Sequence, residues 1–246
     1  LATTSTENSG LLEAILPEFT AATGVEVHVV AMATGQALRA AANGDADLLM
    51  VHDEGAELQF IRQGYGIERI PFMYNDFILV GPGSDPAAIR EVAQIKDAMS
   101  RLYEADATFI SRSDESGTHK MELRLWAASG LEPNASGVLT YHETGAGMAK
   151  ALNISASMDA YTLSDRGTWL SYARRGNLEV LFENDTELLN QYSLIVINAD
   201  KHPHIKANLA RTLANWLTSV QGQESIAHFK KMGVSLFTPN YNQGSR

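Results

Sequence analysis

One order recurs along this chain: a short apolar run, a polar turn, then a helical pattern. Residues 25–32, 47–51, 77–80, 108–110, 159–162 and 194–197 are short, apolar and bounded by turn formers, so they read as strands. Residues 11–22, 35–43, 57–63, 89–103, 118–129, 148–154, 169–175, 205–218 and 223–232 carry helical periodicity. Strands separated by helices run mostly parallel, because the helix returns the chain over one face of the sheet. The expected class is therefore α/β, with helices on both sheet faces. Ligands of such sheets sit at the C-terminal ends of strands, so function is sought in the strand-to-helix turns.

Four turns are chemically loaded: residues 2–10, 51–55, 111–118 and 162–168. Each places backbone N–H groups and polar side chains at a helix start, an arrangement suited to a small anion. The third is the most specific. Arg112 offers a planar guanidinium that matches two oxygens of a tetrahedral anion. Asp114 is spaced to hold it, Ser116 or Thr118 can cap the helix and offer a hydroxyl, and Gly117 permits close approach. In the first turn, the hydroxyls ahead of the helix cap favour Thr4 and Ser5 as anion contacts, whereas Thr6 and Ser9 read as ordinary caps and Asn8 or Ser9 as the N-cap itself. Arg166 is either a second cation at the site or the partner of a carboxylate such as Asp165. Asp53 and Glu54 suit a helix N-terminus; Asp53 inside an anion site would repel a dianion but could accept a proton from hydrogen phosphate.

The 246 residues allow two lobes. The Gly/Pro cluster at residues 81–86 marks a crossing. The expected division is residues 1–80 plus 198–246 in one lobe and 84–192 in the other, with hinge strands near 77–83 and 193–197. The four turns would then face one cleft.

Several functions are excluded or left without residues to carry them. A net charge of −10 argues against nucleic acid as the main partner. With no cysteine, neither a disulfide nor a thiolate metal site can form. No His-Glu-x-x-His, Gly-x-Ser-x-Gly or P-loop lysine occurs, and no protein-bound metal is expected. A nucleophile paired with a base cannot be named beyond His52 with Asp53, so no catalytic residue and no cofactor are expected. No apolar run approaches the length of a membrane span. The abrupt start at Leu1, directly before a turn, reads as a processed start with any leader removed.

At these loops the sequence resembles the oxyanion-binding proteins of ABC transporters, above all the Tup-type tungstate-binding proteins. The resemblance rests on Thr3-Thr4-Ser5 with Ser9-Gly10-Leu11-Leu12, on residues 47–52, and on Gly64-Tyr65-Gly66 and Met73-Tyr74-Asn75-Asp76-Phe77. It continues through Ser111-Arg112-Ser113-Asp114, residues 116–120, 143–148 and 161–168. It implies a two-lobed type II periplasmic-binding fold, each lobe a mostly parallel sheet flanked by helices. It also implies a periplasmic or extracellular protein, monomeric, that hands tungstate or molybdate to a membrane permease. Carried over by position, the ligand contacts are Thr4, Ser5, Arg112, Ser113 and Thr118, joined by Asp53 and Arg166. Two departures stand out: Ala2 replaces a hydroxyl residue, and Asp53-Glu54 is unusually acidic. The residues 112–118 also resemble those of phosphate-binding proteins, which makes phosphate the rival ligand; a phosphoester-processing enzyme is the more distant alternative.

Overall fold

The computed structural model of the chain describes residues 1–4, 9–133 and 140–241. Contacts divide the chain into two units, Leu1–Asn75 with Asn190–Arg246 and Asp76–Leu189.

The first part of unit 1 contains β1 (Ala2–Thr3), α1 (Leu11–Thr23), β2 (Val30–Ala31), α2 (Thr34–Ala42), β3 (Leu48–Val51), α3 (Glu54–Arg62) and the start of β4 (Gly66–Pro82). Strand β1 lies between β2 and β3 and runs parallel to both, with Thr3 opposite Ala31 and Met50. Helix α1 buries Leu11, Leu12, Ile15 and Phe19, the one-sided spacing that the sequence shows. Pro17 sits inside the helix without ending it, and Gly24 closes it at φ +69°. The small residues Ala37 and Ala41 let α2 press against Leu49, Val51, Ile195 and Ile197. The strand expected at 25–32 is shorter. Only Val30 and Ala31 pair, at the sheet edge, and Val30 is exposed.

Strand β4 is longer than its apolar stretch. Glu68, Arg69, Pro71, Asn75 and Asp76 break the alternation that marks a strand in sequence. Long-range pairing keeps these residues extended. Residues 66–75 belong to unit 1, residues 76–82 to unit 2.

Unit 2 continues with α4 (Ile95–Glu104), β5 (Thr108–Ser111), α5 (Gly117–Ala128), β6 (Thr140–Glu143), α6 (Met148–Met158), β7 (Thr162–Asp165), α7 (Arg166–Ser171) and β8 (Leu178–Phe182). Strands β5 and β6 are parallel, and Phe109 makes a parallel bridge to Tyr161 just before β7. Strands β7 and β8 flank β4 in antiparallel register. The core joins Phe109, Trp126, Leu102, Met121 and Leu163, with the Phe109 and Trp126 rings edge to face, their centroids 5.4 Å apart. Two expectations shift here. The helix expected at 89–103 splits into a 3-10 turn, Ile89–Glu91, and α4, because Val92 and Gln94 are extended. The strand expected at 159–162 begins at Thr162, because α6 runs on to Met158 and Asp159 caps it at φ +49°.

The chain re-enters unit 1 with β9 (Leu189–Ile197), followed by α8 (Ala207–Leu217), α9 (Val220–His228), β10 (Lys230–Lys231), β11 (Val234–Ser235) and β12 (Thr238–Pro239). Strand β9 is antiparallel to β3, with Leu49 opposite Ile195, and β12 pairs with β4 at Met73 and Tyr74. Gly222 is required for α9 to meet α8, since a Cβ there would stand 2.1 Å from the Trp216 carbonyl oxygen. Among the described residues, no helix is long and apolar enough to cross a membrane.

Candidate anion-binding site

In unit 1, the parallel register of β1 and β3 makes both strands end side by side. Thr3 is fully buried and donates its hydroxyl to the Met50 carbonyl at 3.1 Å, tying the two strand ends together. Thr4 follows with 3% exposure, and its Oγ1 has no hydrogen-bond partner among the described residues. A buried hydroxyl without a partner is costly, and it is the kind of donor that a bound anion would satisfy. Ser5, Thr6 and Asn8, also read as contacts or caps, lie outside the described residues. At the start of α1 the cap position is Gly10, at φ +84°, while the Ser9 hydroxyl accepts from the Leu11 N–H at 3.2 Å.

The second turn is held by local and long-range bonds. Asp53 is the N-cap of α3 and accepts from the Ala56 N–H at 3.2 Å. Glu54 pairs with Arg69 at 3.2 Å, and the fully buried Glu57 accepts from Arg69 Nε at 2.6 Å. Burial pushes the Glu57 carboxyl above its ordinary range, against the pull of Arg69. His52 meets Asn190 Oδ1 through Nδ1 at 3.0 Å and packs against the Tyr192 ring at 4.9 Å. Asn190 in turn donates to Asn75 Oδ1 at 2.8 Å, so the loop after β3 is fastened to both β9 and β4.

In unit 2, β5 delivers Arg112. Its Nε and Nη2 both donate to Asp114 Oδ2, at 3.1 and 2.5 Å, and Nη1 donates to Thr118 Oγ1 at 3.3 Å. A guanidinium has five N–H groups; three are committed, so one N–H remains on each terminal nitrogen. Thr118, acting as acceptor, keeps its hydroxyl hydrogen for another partner. Arg112 and Asp114 are mostly shielded, with side-chain exposures of 16% and 19%. Burial pushes the Asp114 carboxyl upward, but hydrogen bonds from Ser116 and Arg112 outweigh it and hold the group below its ordinary value. Ser116 caps α5 by accepting from the His119 N–H. Ser113 adopts φ +46° and Glu115 φ +57°, an unusual backbone pair held from outside the loop. Ser113 donates to Glu143 Oε1 at 3.0 Å, Thr144 donates to the Ser111 and Arg112 carbonyls, and the Ala146 N–H reaches the Arg112 carbonyl.

In the fourth turn, Arg166 pairs with carboxylates. Its Nε donates to Asp76 Oδ1 and Oδ2 at 2.8 and 3.0 Å, and its Nη2 reaches Asp76 Oδ2 at 2.5 Å and Glu183 Oε2 at 2.6 Å. The hydrogen bond with Asp76 is the main cause holding this guanidinium above its ordinary pKa, against burial, with Glu183 reinforcing it. Asp165 instead caps α7 by accepting from the Thr168 N–H at 2.7 Å. Sequence reasoning missed Asp76, Glu183 and Thr144. Asp76 and Glu183 lie 90 and 17 residues from Arg166, and no local spacing announces such a pairing. It also missed Glu122, which carried a signal: it stands four residues after Thr118 on the same helix face.

Among the described residues no group of His, Asp and Glu is placed to hold a metal ion. What the turns present is a set of N–H and hydroxyl donors at helix starts. The fold and this donor set define a periplasmic-binding-type solute-binding domain, and residues 1–221 match the family model described as a PBP superfamily domain. Within that class, the chain belongs to the family of the tungstate-binding proteins called TupA. It is 45% identical over 242 residues to the tungstate-binding protein TupA of Peptoclostridium acidaminophilum, covering 97% of this chain and 84% of that one. The structure of the tungstate-binding protein TupA from Desulfovibrio alaskensis G20 superposes with a TM-score of 0.93 at 41% identity, covering 98% of each chain. The structure of the tungstate ABC transporter from Geobacter sulfurreducens gives 0.80 at 39% identity, covering 93% of this chain and 97% of that one.

Proposed function

We propose that this protein captures a tetrahedral oxyanion, tungstate first and molybdate second, and hands it to the permease of an ABC importer. The observation that carries this reading is Arg112, steadied by Asp114 and Thr118 at the start of α5 with donors still uncommitted. The buried, unpartnered hydroxyl of Thr4 supports it from unit 1. Ser113 and the undescribed Ser5 complete the proposed contact set, which follows from position in the sequence. In this reading Asp53 and Arg166 shape the loops: one caps α3, and the other is engaged by two carboxylates.

Tungstate and molybdate carry no proton at neutral pH, so a site composed of donors suits them. Each charge-assisted hydrogen bond in a desolvated site contributes about 1.5–3 kcal/mol. A few such bonds are enough for submicromolar affinity after the cost of ordering the loops. The protein acts outside the cytoplasm, as a monomer, without a cofactor and without chemical change to its ligand. Calorimetry and thermal shift with tungstate, molybdate, sulfate and phosphate test the proposal. Tight binding of tungstate is expected, and silence toward all four anions would reject it.

A further inference from the structure

Beneath the Arg112 loop lies an acid that the anion-binding reading leaves without a role. Glu122 is 2% exposed on α5, one helical turn beyond Thr118 on the same buried face. Its Oε1 accepts from the Tyr141 hydroxyl at 2.5 Å. The Ser111 side chain stands near enough to favour the charged form of Glu122, and Ser111 Oγ accepts the Ser113 N–H at 3.2 Å. The carboxyl thus lies beside both flanks of Arg112: next to Ser111, which holds the Ser113 N–H, and one helical turn from Thr118, which accepts from Arg112 itself.

Among the described residues, the groups that act on it include no cation. Strand β6 contributes Tyr141 and, further off, the carboxylate Glu143, which also accepts from Ser113. Strand β5 contributes Ser111. Within α5, the buried Trp126 indole N–H lies near enough to favour the charged carboxyl but lacks a partner in hydrogen-bond geometry. Helix α4 and strand β7 pack apolar residues into the same core, among them Ala98, Met99, Leu102 and Leu163. Burial is the dominant influence, and it raises the Glu122 carboxyl to about 7, with Glu143 adding to the rise.

We propose that Glu122 is a positioning residue for the Arg112 loop whose proton is linked to anion capture: the anion is held with Glu122 neutral. The inference rests on the oxyanion reading above. An ionised carboxylate one turn behind the Arg112–Thr118 contact repels a dianion. A neutral carboxyl removes the repulsion and still accepts from Tyr141. By linkage, a dianion that disfavours the charged form raises the affinity of Glu122 for its proton, so binding takes up protons and weakens as pH rises through the titration.

The test is calorimetry with tungstate, whose own charge is constant over the range, at several pH values between about 6.5 and 8.5 and in buffers of differing ionisation enthalpy. The parent protein is expected to take up protons on binding and to lose affinity about threefold or more across this range. Glu122→Gln is expected to bind without proton uptake, with flat pH dependence. Tyr141→Phe removes a donor to the charged carboxyl, so it is expected to move the decline in affinity to higher pH, and it provides a second reading if Glu122→Gln folds poorly. Tight tungstate binding with no proton uptake, or a Glu122→Gln variant with the parent's pH dependence, overturns the linkage and leaves the oxyanion reading standing. No tungstate binding at any pH overturns both.

Discussion

Arg166 grips Asp76 through Nε and Nη2 across 90 positions of sequence and binds Glu183 with the same Nη2. The side chain that the sequence left as either a second cation or the partner of a carboxylate is engaged by two carboxylates of its own unit. It ties the first residue of unit 2 on β4 to the start of α7. Asn75, the neighbouring residue on β4, is fastened separately to Asn190 and through it to His52. Two consecutive residues thus anchor two different loaded turns to one strand.

Removing Arg166 should cost stability first. Arg166→Gln leaves Asp76 and Glu183 facing each other, both partly shielded. A loss of about 2 kcal/mol is expected in denaturant unfolding. Adding Asp76→Asn to Arg166→Gln should recover part of that loss, and simple additivity in the double-mutant cycle would show that the pair is not coupled.

Arg112→Lys is expected to weaken tungstate binding about tenfold or more, since an ammonium cannot hold Asp114 through two nitrogens and also offer a planar donor pair. The fold should remain, because the Ser116 cap and the Thr144 bonds to the loop do not involve this side chain. Calorimetry beside thermal unfolding checks both halves; an unchanged affinity would move Arg112 to a structural role.

Thr4→Val should separate binding from stability. The hydroxyl it removes is buried and without a hydrogen-bond partner among the described residues, so stability should hold or rise by up to about 1 kcal/mol. Tungstate affinity should fall about tenfold with the lost donor. Weaker folding together with full affinity would contradict the assignment.

Asp53→Asn should leave tungstate affinity within about twofold, because asparagine also caps a helix and the Ala56 N–H bond can persist. A sharp fall in phosphate binding in this variant, from a parent that binds phosphate tightly, would instead favour hydrogen phosphate as the ligand.

Stability should also depend on pH through Glu122. Its folded value of about 7 lies above the ordinary 4.5, so between these values the folded protein keeps a proton that the unfolded chain has lost. Stability therefore falls as pH rises through this window, and the deficit is complete above about pH 7, on the order of 3 kcal/mol for this one group. Glu122→Gln does not titrate. It should be more stable than the parent near pH 8 and similar to it near pH 4.5, as urea unfolding at the two pH values would show.

Local pattern determined a great deal. The one-sided spacing of Leu11, Leu12, Ile15 and Phe19 and the apolar runs at 48–51 and 194–197 are near-neighbour effects and could be read directly. The Arg112–Asp114–Thr118 cluster was legible for the same reason: its members lie within six residues, and a strand-to-helix turn brings them together. Tertiary structure decided what depends on distant partners. Strand β4 stays extended through Pro71, Asn75 and Asp76 because other strands pair with it. Arg166 turned to Asp76 and Glu183 because β4 and β8 bring carboxylates to α7. Glu122 became a buried acid because β5 and β6 close over its helix face. A sequence shows which groups are present and how adjacent ones are spaced, but charge and hydrogen-bond energies depend on distance and solvent exposure, which are set only when remote segments pack.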